Sequence, residues 1–149
     1  MKIVSAKPHH QAEWAVLRNN LWPYTVHKHL CDLENYFSGK DTDIVQAFLL
    51  TDCSEELTGF IELNIRTEAP GSAGQRVPFI EGWYIEENIR RCGFGAMLVR
   101  QAESWAKSLR FGMLASDTDT CNNISISAHK ALGFTETDVP GFFIKRICA

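Results

Sequence analysis

The chain has 149 residues, 45% of them hydrophobic, which is enough for one domain with a buried core. Its formal net charge of -3 argues against a nucleic-acid partner, which needs a basic face, and is compatible with a cationic substrate. We therefore predict a single domain over residues 1–149.

The predicted elements of the first half are a strand, two helices and a β-hairpin. After the first strand, Pro8 suits the opening turn of a helix that ends at Trp22-Pro23. The apolar positions of the two helices recur at helical spacing and are Trp14, Leu17 and Leu21, then Leu30, Leu33 and Phe37. The three strands are Lys2–Ala6, Ile44–Leu50 and Leu57–Ile65, the last two joined by a polar turn.

The second half alternates strands with helices. The predicted strands are Val77–Ile85, Phe111–Ser116 and a terminal pair near Gly133–Thr137 and Phe142–Ile147. The predicted helices run from Gly95 to about Leu109 and from Asn122 to Leu132. The element order β-α-α-β-β-β-α-β-α-β-β predicts an α/β fold with a mixed sheet and helices on both sides.

Neither a membrane span nor a secretory leader is expected from the sequence. No apolar run is long enough for a span, and the N-terminal stretch lacks the apolar segment of a signal peptide. The five cysteines are scattered, odd in number and without C-x-x-C spacing. This pattern favours reduced thiols in a cytoplasmic protein and predicts no metal site.

The most informative stretch joins the strand ending at Ile85 to the following helix. Its glycines let the backbone approach a ligand closely, and the N–H groups at a helix start form a ready anion site. Arg90 and Arg91 place cations where the helix dipole repels them, which indicates a counter-anion. The predicted pyrophosphate-binding residues are Arg90, Arg91, Cys92, Gly93, Phe94, Gly95 and Ala96.

Two other phosphate-binding motifs fit this stretch poorly. A P-loop requires Gly-Lys followed by Ser or Thr, which occurs nowhere in the chain. A Rossmann site requires a third glycine, but Leu98 stands at that position, and too few residues follow to complete a dinucleotide-binding domain.

The spacing Arg90-x-x-Gly93-x-Gly95 resembles the acyl-CoA pyrophosphate motif [QR]-x-x-G-x-[GA] of the Gcn5-related N-acetyltransferases, GNAT. Longer segments look like the aminoglycoside 6'-N-acetyltransferases of that superfamily. They are Leu21-Trp-Pro23 with His29-Leu30, Glu81-Gly-Trp-Tyr-Ile85, Ala115-Ser-Asp-Thr118 and Ala128-His-Lys-Ala-Leu-Gly-Phe134. The resemblance, which covers nearly the whole chain, implies the GNAT fold with a mostly antiparallel central sheet. It also implies acetyl-CoA as cosubstrate, an aminoglycoside as acceptor and a homodimer.

Two carboxylates are the candidate catalytic groups. Glu81 stands in an otherwise apolar strand, where it is either a solvated edge residue or a carboxylate at the substrate cleft. Asp117 ends the next strand, where α/β sheets present ligand-binding residues, or else caps the following helix. The resemblance implies that both contact the aminoglycoside. It implies the same for Asp138, in a variable loop, and for Trp22, whose loop lines the acceptor site.

The remaining candidates concern the cosubstrate. Trp83, Tyr84 and Ile85 are by themselves core and sheet residues, but the resemblance implies that their backbone pairs with the pantetheine arm and that one amide faces the thioester carbonyl. Asn122 is either a helix cap or a cofactor contact. His129 replaces the tyrosine with which many GNAT enzymes protonate the leaving thiolate, so it is a donor, a pantetheine contact or a packing residue.

No cysteine or serine is evident as an acyl carrier, so we expect direct transfer without a covalent enzyme intermediate. Two alternatives remain open at this stage. One is a GNAT acetyltransferase for another amine, a polyamine or a protein N-terminus. The other is a non-catalytic acyl-CoA-binding module.

Overall fold

The structure is a computed structural model that describes residues 1–147. The helices are α1 (Gln11–Leu21), α2 (Val26–Phe37), α3 (Phe94–Ser108) and α4 (Asn123–Ala131). The strands are β1 (Lys2–Ser5), β2 (Gln46–Thr51), β3 (Leu57–Arg66), β4 (Val77–Ile85), β5 (Met113–Asp117), β6 (Thr135–Glu136) and β7 (Phe142–Arg146). Single 3-10 turns occupy Pro8–His10 and Glu87–Ile89. The predicted element order is confirmed.

The seven strands form a mixed sheet in the order β1-β2-β3-β4-β5-β7-β6. Antiparallel pairs join β1 to β2, β2 to β3, β5 to β7 and β6 to β7. The pairing of β4 with β5 is parallel, and α3 supplies the crossover that such a connection requires. Its register pairs Phe79 with Ala115 and Ile80 with Ser116. The α/β class and the mostly antiparallel sheet are thus confirmed.

The chain forms two compact units, the first of which comprises Met1–Leu63 and Gly82–Val99. Its core is built by the inner faces of α1 and α2 against β2 and β3, because apolar residues recur there at helical and strand spacing. The fully or nearly fully buried residues include Trp14, Leu17, Leu33, Leu49 and Phe60. Leu21, Leu30 and Phe37 pack on this core while partly exposed, so both predicted helix stripes are confirmed.

The second unit comprises Asn64–Glu81 and the residues from Arg100 onward. Val77, Phe79 and Ala115 are buried at its centre, and Phe142 and Ile144 of β7 pack against them. The ring of Phe142 lies 6.4 Å from that of Phe79. This unit contains the end of β3, the first part of β4 as far as Glu81 and all of β5, where the two candidate carboxylates lie.

Element ends differ from the predictions by one to three residues, and local hydrogen bonds explain one of these differences. The hydroxyl of Thr42 accepts from the Ile44 N–H and donates to the Ile44 carbonyl, so a turn holds Ile44 and β2 begins only at Gln46. Helix α2 begins after Thr25, whose hydroxyl accepts from the Lys28 N–H at 3.0 Å.

Four cysteines, namely Cys31, Cys53, Cys92 and Cys121, carry free and exposed thiols. Cys148 lies outside the described residues. Among the helices of residues 1–147, none has the length and apolar character needed to cross a bilayer.

Candidate active site

The turn between β4 and α3 has the backbone geometry of an anion cradle. Arg91 and Gly93 adopt left-handed conformations, with φ of 65° and 86°. The first helical hydrogen bond is donated by the Met97 N–H to the Gly93 carbonyl at 3.1 Å. The N–H groups of the first helical residues, Phe94 to Ala96, therefore have no acceptor within the helix. The residues present fit a phosphate group, which remains a prediction for this turn.

The side chains around the turn hold it against the end of β4. Arg90 donates from Nε to the Ile85 carbonyl at 2.7 Å, and its guanidinium lies 5.5 Å from the centre of the Tyr84 ring. A Cβ at position 95 would lie 3.1 Å from the Trp83 ring, so Trp83 packs against the backbone of Gly95. Arg90 thus contacts the end of β4, while Arg91, the other predicted cation, is exposed.

Glu81 is the centre of a polar cluster in the second unit. Both of its carboxylate oxygens interact with Arg66 of β3, Oε1 with Nη2 at 2.7 Å and Oε2 with Nε at 2.9 Å. Asn64 donates from Nδ2 to Oε2, also at 2.9 Å. The Arg66 guanidinium in turn lies 3.5 Å from the centre of the Phe79 ring. The Glu81 side chain is 16% exposed, so it is neither a bare edge residue nor an unpaired buried charge.

Asp117 is the more accessible carboxylate of this cluster. The β4–β5 register ends at Ile80 and Ser116, one residue before Glu81 and one before Asp117, so the two acidic residues follow the last pair on neighbouring strands. Burial raises the pKa of Asp117, the Arg66 guanidinium opposes this effect and the Glu81 carboxylate adds to it. The structure brings together the two predicted catalytic residues, and their roles stay predictions.

His129 lies 2% exposed in α4, stacked at 4.7 Å on the ring of Phe143. Its Nδ1 lies 2.7 Å from the Ser125 carbonyl and must carry the proton, since a carbonyl only accepts. Its Nε2 then accepts from the Ser116 hydroxyl at 2.8 Å, and burial lowers the pKa of the ring, which keeps it neutral. Of the three roles that the sequence left open for His129, this geometry supports packing.

Asn122 caps α4, because its side-chain oxygen accepts from the Ser125 N–H at 3.0 Å. The capping role is therefore confirmed, and a cofactor contact by this residue stays a prediction. Asp138 lies exposed between β6 and β7. Within residues 1–147, no contact is seen that joins Asp138 to Glu81 or Asp117.

Trp22, in the first unit, begins the loop between α1 and α2. Its ring lies 6.3 Å from that of Phe60, and its carbonyl accepts from Nε2 of buried His29 at 3.0 Å. The ring also lies over Gly82 of β4, where a Cβ would approach it to 2.5 Å. An open pocket of about 460 Å³ adjoins this loop; its lining includes Trp22, Tyr24, Lys28, His29 and Asp32.

A buried charge network supports the same loop. Arg18 of α1 pairs through Nε with Glu62 Oε2 at 2.9 Å and through Nη1 with Asp32 Oδ2 at 3.3 Å. Its guanidinium carbon lies 5.2 Å from the centre of the Trp22 ring. The Trp14 indole donates to Glu62 Oε2 at 3.0 Å. Glu62 is 1% exposed, and burial raises its pKa to about 7 despite the opposing effect of Arg18.

Gly82→Ala tests whether Trp22 depends on this close approach. The added methyl group would lie well inside contact distance of the indole, so the ring must leave its place toward solvent. We expect a red shift of tryptophan emission. Gly112→Ala is the matched control, since its Cβ would meet nothing within 4 Å. Equal emission spectra for the two variants would contradict the expectation.

Sequence reasoning missed Arg66, Asn64 and the Arg18–Glu62 pair. A signal was present in β3, where Glu62, Asn64 and Arg66 alternate with Ile61, Leu63 and Ile65. Side chains two residues apart share a face of a strand, so a polar stripe of period two in an apolar strand marks a functional or buried polar face. No comparable signal was available for Arg18, because a lone arginine on a helix usually faces solvent.

His27 and Cys31 lie four residues apart on α2, with Nε2 and Sγ separated by 3.7 Å. In the described part of the chain, no three His, Cys, Asp or Glu side chains are grouped so as to hold a metal ion.

Comparison with known proteins gives consistent results. Residues 12–134 match the sequence profile described as "Acetyltransferase (GNAT) family". The chain is 39% identical over 126 residues to aminoglycoside N(6')-acetyltransferase type 1 of Klebsiella aerogenes, covering 84% of this chain and 83% of the relative. It is 34% identical over 148 residues to the protein of the same name from Acinetobacter haemolyticus, covering 99% of both chains.

Solved structures agree with these matches. The apo crystal structure of an aminoglycoside 6'-N-acetyltransferase from Acinetobacter haemolyticus aligns with a TM-score of 0.82 at 32% identity, covering 93% of this chain and 94% of that one. AAC(6')-Iy in complex with the bisubstrate analogue CoA-S-monomethyl-acetylneamine aligns with a TM-score of 0.81 at 28% identity, covering 93% and 92%.

Proposed function

Because this chain belongs to the GNAT family of acetyltransferases, we propose that it acetylates the 6'-amino group of aminoglycoside antibiotics from acetyl-CoA and thereby confers resistance. The observation that carries the proposal is the carboxylate pair of Glu81 and Asp117, which follows the last β4–β5 pair. Two neighbouring carboxylates suit an acceptor with several ammonium groups. The names of the relatives support the same acceptor.

The reaction proposed is direct attack in a ternary complex. The N–H groups from Arg91 to Ala96 hold the pyrophosphate of acetyl-CoA, and the backbone of Trp83 to Ile85 pairs with its pantetheine arm and polarises the thioester carbonyl. The 6'-ammonium group loses a proton through water to the Glu81–Asp117 pair, and the resulting amine attacks the thioester carbon and forms the C–N bond. The C–S bond then breaks, and the nitrogen releases its second proton to solvent. Holding both reactants in one geometry supplies much of the acceleration.

The leaving thiolate takes its proton from solvent in this scheme. His129 is an unsuitable donor, because its only ring proton is directed at the Ser125 carbonyl and its pKa is lowered by burial. A thiolate is a tolerable leaving group, so its departure does not require a strong acid at this position.

The acceptor is proposed to lie with one sugar ring against Trp22 and further ammonium groups near Asp138. We also propose that residues 1–149 act as one catalytic domain, that the enzyme is a homodimer and that it acts in the cytoplasm. The homodimer is proposed from the family resemblance. The cytoplasmic location is proposed from the scattered thiols, which are free and exposed where described.

Mass spectrometry of reaction products tests the proposed activity. The enzyme is incubated with acetyl-CoA and with kanamycin A or tobramycin, which carry a 6'-amine, or with paromomycin, which carries a 6'-hydroxyl group. We expect one acetyl group on the first two drugs and none on paromomycin. Mass detection avoids the background that exposed protein thiols give with thiol-reactive dyes.

The same experiment separates the alternatives. Acetylation of paromomycin to the same extent would contradict attack by the 6'-amine. Turnover of spermidine or a peptide N-terminus in place of the drugs would indicate a GNAT enzyme for another amine. Acetyl-CoA binding without turnover of any amine would indicate a non-catalytic binding module.

A further inference from the structure

The Glu81 carboxylate is already paired with a cation of its own chain. Arg66 donates to both oxygens in a side-on bidentate arrangement, and Asn64 adds a third hydrogen bond. Bidentate Arg–carboxylate pairs are strong and fix the plane of the carboxylate. Glu81 is therefore held in one orientation before any acceptor binds.

The Arg66 guanidinium is itself held in place. It lies face-on at 3.5 Å from the Phe79 ring, and the Arg66 side chain is 34% exposed. Phe79 is fully buried in the core of the second unit, so this contact anchors the guanidinium to a rigid part of the fold. Arg66 is thus a fixed charge and not a mobile surface side chain.

The charges that face Asp117 come from three elements: Arg66 of β3, Glu81 of β4 and His129 of α4. His129 is neutral, since burial lowers its pKa, so Arg66 supplies the fixed positive charge in this group. Two adjacent carboxylates without a cation hinder each other's ionisation, and one of them then keeps a proton near neutral pH. A protonated carboxyl can neither bind an ammonium group ionically nor take its proton.

We propose that Arg66 is a positioning residue that fixes the orientation of Glu81 and, as an internal counter-ion, favours the charged form of Asp117 beside it, so that the two carboxylates can hold one ammonium group of the acceptor. The part that concerns the acceptor rests on the proposed function. The part that concerns the charge of Asp117 is a property of the free protein. It can therefore be measured separately.

The first measurement is a carboxyl ¹³C NMR titration of the protein without substrate, with Asp117 assigned by its loss in Asp117→Asn. In Arg66→Met the Asp117 carboxyl is expected to titrate roughly one pH unit or more above its wild-type midpoint, because the opposing cation is gone. Arg66→Lys keeps the charge and should retain a near wild-type midpoint. Arg76→Met is the matched control, since exposed Arg76 faces another ring, that of Phe111, at 5.8 Å.

The second measurement is the pH profile of kcat/KM for a 6'-amino aminoglycoside. The acidic limb of the Arg66→Met profile is expected to move to higher pH by the same interval. On that limb this corresponds to about a tenfold loss of kcat/KM per pH unit. Arg66→Lys restores the limb but not the full rate, because an ammonium group cannot make the bidentate contact.

An unchanged Asp117 midpoint in Arg66→Met would overturn the proposal, as would a loss of activity that is equal at all pH values. A failure of the proposed function can be told apart from a failure of the proposal on Arg66. If wild-type protein acetylates no aminoglycoside, the proposed function fails, while the NMR titration still decides whether Arg66 controls the charge of Asp117.

Discussion

Glu81→Gln is expected to lower kcat/KM for a 6'-amino aminoglycoside by roughly two orders of magnitude, the range typical for loss of a general base. The substitution preserves the shape of the side chain but removes its charge. It also leaves Arg66 facing an amide in place of a carboxylate. Steady-state kinetics with each substrate varied in turn is the measurement.

The affinity for acetyl-CoA is expected to stay within about twofold of wild type, because the cradle is built from backbone groups of the β4–α3 turn. Glu34→Gln, at an exposed glutamate of α2, serves as the matched control and should leave both parameters unchanged. An equal loss of acetyl-CoA affinity and acceptor turnover would show that Glu81 supports the fold and does not act on the acceptor.

Arg18→Met is expected to destabilise the protein by about 3–5 kcal/mol at pH 8, the usual cost of leaving one partner of a buried ion pair alone. Glu62 is 1% exposed, and Arg18 is its nearest cation, at 2.9 Å. Without Arg18, the Trp14 indole is the one hydrogen-bond donor to this carboxylate among those seen in residues 1–147. Urea unfolding followed by tryptophan emission measures the loss.

The pH dependence of this stability loss follows from the raised pKa of Glu62. Burial raises that pKa from 4.5 to about 7, so the folded protein holds a proton in this interval that the unfolded chain has released. Stability from this group is therefore greatest below pH 4.5 and declines as the pH rises through 7. Arg18→Met should therefore lower the free energy of unfolding distinctly less at pH 5.5, where Glu62 is protonated, than at pH 8.

A second substitution checks the assignment. Glu62→Gln in the Arg18→Met background removes the unpaired charge and keeps an oxygen for the Trp14 indole. We expect it to recover most of the stability lost at pH 8 and to abolish the pH dependence. A loss that is the same at both pH values in Arg18→Met would assign the effect to packing of the arginine stem and not to charge.

The sequence predicted the element order because each element carried its own local signal. Pro8 stands in the 3-10 turn that leads into α1, the stripes of α1 and α2 have helical period, and the glycines lie at the start of α3. It also singled out Asp117, because it ends a strand where α/β sheets present ligand-binding residues. That Glu81 of β4 lies beside it follows from the parallel β4–β5 register, which the sequence did not predict.

Partners across the sheet could not be predicted in the same way. That Arg66 meets Glu81 depends on the pairing of β3 with β4, and that Arg18 meets Glu62 depends on how α1 crosses the sheet. Both are tertiary facts that local propensity does not determine. The role of His129 was left open for the same reason, because its burial results from packing against Phe143 of β7.

Neither compact unit is a continuous stretch of chain. The polypeptide passes from one unit to the other within β3, at Leu63 and Asn64, within β4, at Glu81 and Gly82, and within α3, at Val99 and Arg100. During synthesis, therefore, the first unit stays incomplete until Val99 has left the ribosome. A protease that cuts the 67–76 loop would release no self-sufficient fragment. Split-protein designs are thus better cut at the exposed residues 73–76 of that loop than at a unit boundary.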